Sequence, residues 1–479
     1  MNDKVKKFLD FEFNNGLFER SIRGYNYWIY LRTGLFMHHI NKYESKETQT
    51  SKQECEKKHH HVVTFLYCFF RSPLFYRRKR GIIVYQDARK YNPETKKYEN
   101  PSTQDLIERW KGKKLLLAEY TPHDMRLPLE YSDTKYVVLP AVKMYLTIHI
   151  LKKTKKHRQL IRDIEKEIIP LIKSLGIEFD MSLDEKYFVE SVYSGWVYHN
   201  ISKKYYIKLI NRIKPNAVVE QCYYSGHNMV INEVAREYGI PSIELQHGIM
   251  GASAVPYNSH YNCDNVSAYP RYIFLYSQYW KDNTHFPIQD DHVIVAGNPY
   301  LDKMIGKTKG VDKTENIILF VSQPAITNAL SDFALCVAKY IEDNDVEYKI
   351  IYKLHPNEQH EYFRILEKFR DFSDICCVAD AEKMDIYDCF QKCCMQVGIF
   401  STALYEGVAA GLLTYVYNYS GCEEIEDLYL NGYAKLVNSA EEIFGGEQAS
   451  GCQDDLWEAS DADAQITYLR KIIEEYGQE

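Results

Sequence analysis

Several short motifs in this chain space histidines, hydroxyls and carboxylates for proton transfer or anion binding. In Glu244-Leu245-Gln246-His247-Gly248-Ile249-Met250-Gly251, a histidine is followed by a glycine that permits a sharp turn. An imidazole titrates near neutrality, so His247 is the first candidate for a general base. Ser225-Gly226-His227-Asn228 offers a second histidine. Ser225 reads as a helix N-cap, and His227 either faces a cleft from the helix start or is a capped surface histidine. His227 and Asp87 are the reserve candidates for the base. Asn298, in Gly297-Asn298-Pro299, is a hinge or cleft residue or simply part of a tight turn.

A second group of motifs suits phosphate. Ser322-Gln323-Pro324 supplies a hydroxyl, an amide and exposed backbone donors. In His355-Pro356-Asn357-Glu358, the proline is tolerated in a first helical turn, which predicts a helix beginning at Pro356 with His355 beside its N-terminus. Ser401 can cap the helix that follows Gly398-Ile399-Phe400. Thr402 and Glu406, four apart, then share one face, where the carboxylate can accept both hydroxyls of a ribose. The plainer reading of Glu406 is a solvated helix residue.

Other chemistries lack their motifs. The chain has no glycine-rich phosphate loop, no dinucleotide fingerprint and no Cys-x-x-Cys pair. An Asp-x-Asp triplet flanked by strand is missing from the first half, which argues against a metal-bridged nucleotide; the expected metal ligands are none. A net charge of -7 makes bulk nucleic-acid binding a poor reading.

The elements that must position these residues follow from hydrophobic patterning. Length 479 suits two domains plus extensions. Residues 1–79 read as an aromatic-rich helical extension, with Phe8, Phe11, Phe13, Phe18, Trp28 and Leu31 for packing. Short apolar runs then alternate with amphipathic segments, the pattern of an α/β fold with parallel sheets. Strands are predicted over 81–85, 114–119, 136–139, 217–223, 242–246, 272–276 and 292–296, with a long helical stretch over 141–212. A polar linker covers 305–315. The second series has strands over 316–321, 348–354, 375–378, 395–400 and 413–417, with helices near 329–343, 358–369 and 402–410. The predicted division is 80–304, 316–440 and a C-terminal helical segment over 441–479. Every motif above falls at a strand end, where open α/β sheets bind ligands.

No run reaches the roughly 20 apolar residues of a membrane span, and the N-terminus lacks a signal-peptide pattern. A cytoplasmic location with reduced thiols is expected. Residues 62–70 are aromatic and apolar between basic flanks that include Lys57, Lys58, Arg71, Arg77, Arg78, Lys79 and Arg80. They suit peripheral contact with an anionic membrane at the inner membrane face, or a buried helix with a solvated basic end.

In the order Glu244-Leu245-Gln246-His247-Gly248, Gly297-Asn298-Pro299-Tyr300-Leu301-Asp302, Ser322-Gln323-Pro324, Lys353-Leu354-His355-Pro356 and Phe400-Ser401-Thr402-Ala403-Leu404-Tyr405-Glu406, the chain resembles bacterial capsule and lipopolysaccharide transferases of GT-B fold. It is similar in texture to capsule Kdo transferases, bacterial sialyltransferases and CDP-glycerol glycerophosphotransferases, over roughly residues 80–440. The resemblance implies two Rossmann-like domains, the first for a glycan or lipid-linked glycan acceptor and the second for a nucleotide-sugar donor. It implies that His355 contacts the donor phosphate and Glu406 the ribose, with Ser322, Gln323, Pro356, Ser401 and Thr402 completing the donor site. Gln246, Gly248, Ser225 and Asn298 are the acceptor or cleft candidates. The implied co-substrate is CMP-, CDP- or UDP-linked, with no separate cofactor. Retaining GT-B enzymes often carry two glutamates eight positions apart; here the earlier position is Gly398, which weakens a retaining assignment, and inversion is the expectation. A glycosyltransferase is therefore expected, against a CDP-polyol phosphotransferase, a sugar-nucleotide 2-epimerase or a non-catalytic assembly scaffold.

Overall fold

A computed structural model describes residues 2–41, 70, 72–75, 81–85, 90–92, 97–100, 102–110, 115–120, 135–137, 154–308, 316–380, 384–445, 456, 461 and 463–477. Asp87 and almost all of the aromatic-basic segment between residues 57 and 80 lie outside them.

Two parallel sheets organise the chain, as the alternating pattern predicts. The first has the order β5-β4-β1-β6-β7-β8-β9. Its strands are β1 (Ile82–Tyr85), β4 (Leu115–Tyr120), β5 (Lys135–Val137), β6 (Ala217–Glu220), β7 (Ser242–Leu245), β8 (Tyr272–Leu275) and β9 (Val293–Val295). The second has the order β12-β11-β10-β13-β14-β15. It contains β10 (Ile317–Val321), β11 (Lys349–Lys353), β12 (Cys376–Ala379), β13 (Met395–Gly398), β14 (Leu413–Tyr417) and β15 (Lys435–Val437). Each order runs outward one way and then reverses, at β1/β6 and at β10/β13. This is a doubly wound sheet, and its reversal point opens a crevice at the carboxyl ends of the strands. The two sheets give the α/β architecture expected of a GT-B chain.

The central strands are apolar on both faces, since helices cover both. Ile83 and Val218 face the helices Glu185–Ile213 and Gly226–Glu237 through Leu209, Ile210, Val230 and Val234. Ile82, Val84, Ala217 and Val219 meet the opposite layer, which holds Leu106, Trp110 and the C-terminal helix Ala464–Glu475. The last helix of the chain therefore packs on the first sheet, burying Leu469 and Ile472 there.

At the N-terminus, Asp3–Asn14 and Tyr27–Leu35 form helices that bury Phe8, Phe11 and Trp28. Phe13, expected on that packing face, is instead 51% exposed. A buried ion pair supports these helices: Arg32 grips both carboxylate oxygens of Glu12, at 2.6 and 2.8 Å, and donates to the carbonyls of Val255 and Asn258. The helical stretch expected over 141–212 is two helices among the described residues, Lys155–Glu178 and Glu185–Ile213. Antiparallel β2 (Lys90–Asn92) and β3 (Lys97–Glu99), together with the edge strand β15, are additions to the elements read from sequence. Among the described residues no helix is long and apolar enough to cross a membrane.

Candidate active site

The carboxyl ends of the two sheets face each other. A Cβ on Gly248, just past β7, would lie 3.5 Å from Thr402 Oγ1 at the start of the helix after β13. Tyr276, just past β8, lies within the electrostatic reach of Glu406. Beside this contact the sheets are latched together. Asp427 accepts hydrogen bonds from Tyr279, on the first-sheet side, and from Tyr405, on the second. The Trp280 and Tyr405 rings sit 4.9 Å apart, and Ser253 donates to Glu426 at 3.3 Å.

On the first side, β6 and β7 deliver the candidate bases. β6 stops at Glu220, short of the expected 223, because Cys222 has a positive φ of 57° and turns the chain out of the sheet. Ser225 then caps the helix Gly226–Glu237, accepting from Asn228 N at 3.3 Å. His227 is half-buried in that first turn and its Nδ1 pairs with the Tyr198 hydroxyl.

His247 leaves the end of β7. Its turn is held by Gln246, whose amide donates to Gly248 O at 2.9 Å and accepts from Tyr276 N at 2.8 Å. The Gln246 side chain, a cleft candidate by sequence, is therefore bonded within its own loop system. Burial pulls His247 down to about 4, which leaves the imidazole neutral at pH 7. Tyr224 OH is 3.5 Å from its Nε2.

Behind the ring lies Glu244, fully buried in β7. Its Oε1 accepts from Tyr257 OH at 2.6 Å and from Tyr223 N at 3.2 Å, and stands 3.7 Å from His247 Nδ1. Burial pushes this carboxyl up to about 8. Glu244 was not singled out from sequence; a carboxylate inside the otherwise apolar run Ile243-Glu244-Leu245 was the available signal.

Asn298 is a buried N-cap whose Oδ1 accepts from Leu301 N at 3.2 Å, opening the helix Pro299–Gly306. That helix reaches into the expected linker, the rest of which, from 309 to 315, lies outside the described residues.

On the second side, three neighbouring strands bring the anion candidates together. Ser322-Gln323 follows β10, His355-Pro356 follows β11 and Ser401-Thr402 follows β13, and β10 pairs with both of the others. Two expectations change here. The α-helix after β11 starts at Tyr362, and Pro356–Glu361 is a 3-10 segment. The reason is Glu358, buried below the loop: its carboxylate accepts from His355 N at 2.8 Å while Glu358 N closes a tight turn on His355 O. The Ser322 hydroxyl is also spent on Glu358, at 2.9 Å, and Thr327 Oγ1 donates to the same oxygen. Glu358, another residue the sequence reading left without a role, thus ties the two loops together. Gln323 and His355 remain half-exposed, and Pro356 is exposed.

Ser401 caps the helix Thr402–Ala409, accepting from Ala403 N at 3.2 Å. Glu406 Oε2 accepts from Tyr387 OH at 2.8 Å. A Cβ on Gly398 would lie 3.0 Å from Leu404 Cδ1, so a side chain there would require Leu404 to shift.

No protein-family model matches the sequence, and neither does any curated protein. Among solved structures the chain is similar to the Neisseria meningitidis UDP-GlcNAc 2-epimerase bound to UDP-GlcNAc, at 12% identity and a TM-score of 0.42, covering 83% of this chain and 98% of that one. It is similar to the spinosyn rhamnosyltransferase SpnG, at 11% identity and TM-score 0.39, covering 83% and 96%. It is also similar to the wall teichoic acid polymerase TagF, at 9% identity and TM-score 0.44, covering 88% and 97%.

Proposed function

We propose that this chain is a metal-independent, inverting glycosyltransferase that moves a sugar from a pyrimidine nucleotide-sugar to a growing bacterial surface polysaccharide. Residues 80–304 form the acceptor domain and 316–440 the donor domain. The observation that carries this reading is the approach of the His247-Gly248 turn to the Thr402 helix start, which sets a neutral imidazole opposite a set of anion-suited loops. In that arrangement the acceptor hydroxyl gives its proton to His247 as its oxygen attacks the anomeric carbon. The bond to the nucleotide phosphate breaks on the far side, and its electron pair leaves with the phosphate. Developing charge there is met by His355, Gln323 and the Ser401-capped helix start, while Glu406 takes the ribose hydroxyls. Gly398, at the position where retaining GT-B enzymes often carry a glutamate, supports inversion.

The test is a thermal-shift series with UDP, CMP, CDP, GDP and TDP, followed by turnover of the matching nucleotide-sugar with and without a glycan acceptor. Stabilisation by a pyrimidine nucleotide and acceptor-dependent, EDTA-resistant turnover are expected. Conversion of the donor without acceptor would make the chain an epimerase, and activity lost to EDTA and restored by magnesium or manganese would end the metal-free reading. The protein works in the cytoplasm at the inner membrane face, held there by residues 62–80. Replacing Arg77, Arg78, Lys79 and Arg80 by glutamine should abolish flotation with anionic vesicles, and unchanged flotation would remove this role.

A further inference from the structure

Deepening the reading of His247 as the base, and resting on it, we propose that Glu244 is the positioning residue of the site: it accepts the His247 Nδ1 proton and so turns the Nε2 lone pair toward the acceptor hydroxyl.

Three observations carry this. First, Glu244 is 0% exposed in a strand whose neighbours Ile243 and Leu245 are equally buried, a costly place for a carboxylate that only fills space. Second, its partners are incomplete. Oε1 takes Tyr257 OH and Tyr223 N, but Oε2 has no hydrogen-bond partner among the described residues. Third, an unmet donor is on the candidate base itself. His247 Nδ1 is buried, likewise has no partner among the described residues, and stands 3.7 Å from Oε1 of the same carboxylate. That gap is too long for a hydrogen bond, and the proposal requires the two side chains to close it; catalytic contacts commonly tighten in this way only in the reacting complex. The backbone needs no adjustment, because Gln246 already fixes the intervening turn from both sides.

One neighbour reaches the ring: Tyr224 OH stands 3.5 Å from His247 Nε2, where the acceptor hydroxyl would take its place. Tyr223, Tyr224 and Tyr257 crowd the pair, and burial holds each of these phenols well above its usual range, so they stay neutral. Cys222 is the remaining titratable neighbour, reaching Glu244 through its backbone. Beyond Tyr223, the Arg32 guanidinium is already paired with Glu12. When the acceptor proton moves to Nε2, the new imidazolium carries protons on both nitrogens. An ionised Glu244 then holds the Nδ1 proton and balances the charge. The working form is therefore ionised Glu244 with neutral His247. Since burial pushes Glu244 up to about 8, kcat/KM should rise with pH through that region.

The experiment uses the full-length protein, its Glu244→Gln and Glu244→Asp variants, and His247→Ala to assign the signal. Nitrogen–proton NMR correlation of histidine-labelled protein reads the tautomer of His247 directly. The wild type should carry its proton on Nδ1, and Glu244→Gln should show a mixture. In steady state, Glu244→Gln should lower kcat by about 10²-fold, short of the full range for losing a base. KM and nucleotide affinity should stay near wild type, and the alkaline rise should vanish. Glu244→Asp should restore part of the rise. A wild-type tautomer and pH profile in Glu244→Gln would overturn the assignment. If no nucleotide-sugar turns over at all, the proposed function falls, and the tautomer measurement still decides whether Glu244 holds His247.

Discussion

Glu244 and Glu358 are the same residue type in the same kind of place, yet they are held in opposite ways. Each is a carboxylate buried at the carboxyl end of a parallel sheet, and burial raises both. Glu358 has both oxygens engaged, by two hydroxyls and the His355 N–H, and it knots two loops into one unit. Glu244 has one oxygen engaged and one unmet, beside a histidine nitrogen that is also unmet. A fully partnered buried carboxylate gives up its reactivity for rigidity. A half-partnered one keeps a strained proton affinity that chemistry can draw on. The donor side therefore reads as a preformed cradle and the acceptor side as the reactive wall.

The largest effects should follow that division. His247→Ala should lower turnover by about 10²–10⁴-fold, the usual contribution of a general base, with nucleotide affinity retained. His355→Ala should lower turnover by roughly 10²–10³-fold and also weaken nucleotide binding, because in the proposed function it meets the departing phosphate in both ground and transition states. Single-turnover rates and nucleotide titrations on both variants check this. Equal losses of rate and affinity in the two would erase the distinction between the walls.

Legibility in the sequence followed chemistry that leaves a local trace. The central strands were readable because β1, β8 and β10 are short apolar runs buried on both faces, and β6 and β7 are buried throughout and depart from that pattern only at Glu220, Ser242 and Glu244. The pair β2 and β3 was not, since Lys90–Asn92 and Lys97–Glu99 carry no apolar alternation. The caps at Ser225 and Ser401 were readable because capping depends on a few adjacent residues. The helix expected at Pro356 was displaced to Tyr362 by Glu358, whose partners Ser322 and Thr327 come from another strand and helix. In the same way Glu244 acquires its meaning from Tyr257 and from the turn through Gln246. Pairing between distant segments is what the one-dimensional pattern cannot carry.

Stability should separate the two carboxylates next. Glu358→Ala removes the acceptor of the Ser322 hydroxyl and the His355 N–H, while Thr327 Oγ1 keeps the Gln323 and Pro324 carbonyls, a loss of about 2 kcal/mol. It should appear as a lower denaturation midpoint, and an unchanged midpoint would refute the clamp.

Glu244 should instead make itself felt through pH. Its folded value, about 8, lies above the ordinary carboxyl range, so the native state holds a proton that the unfolded state has released, and stability falls as pH rises toward 8. His247, at about 4 folded and about 6.5 unfolded, works the other way and adds stability as pH rises through that lower interval. The two trends oppose each other below about pH 6.5, and the loss due to Glu244 stands alone from there to about 8, on the order of 2 kcal/mol. Urea melts across this window should show the decline in wild type and a flat profile in Glu244→Gln. A decline that survives the substitution would assign it to another group.

The smallest effect sharpens the comparison most cleanly, because the two walls carry matched caps. Ser225 opens the helix Gly226–Glu237 on the acceptor side, and Ser401 opens Thr402–Ala409 on the donor side. Each accepts one backbone N–H, at 3.3 and 3.2 Å. Losing such a bond costs about 1 kcal/mol, so Ser225→Ala and Ser401→Ala should be destabilised nearly alike. Binding should tell them apart. In the proposed function the helix start at Ser401 meets the nucleotide, and its hydroxyl would serve the phosphate as well as the helix, so Ser401→Ala should also weaken nucleotide affinity. Ser225 borders the acceptor and should leave that affinity untouched. Thermal melts with and without nucleotide give both quantities from one sample. Equal nucleotide-induced shifts in the two variants would confine Ser401 to capping and move the phosphate toward Gln323 and His355.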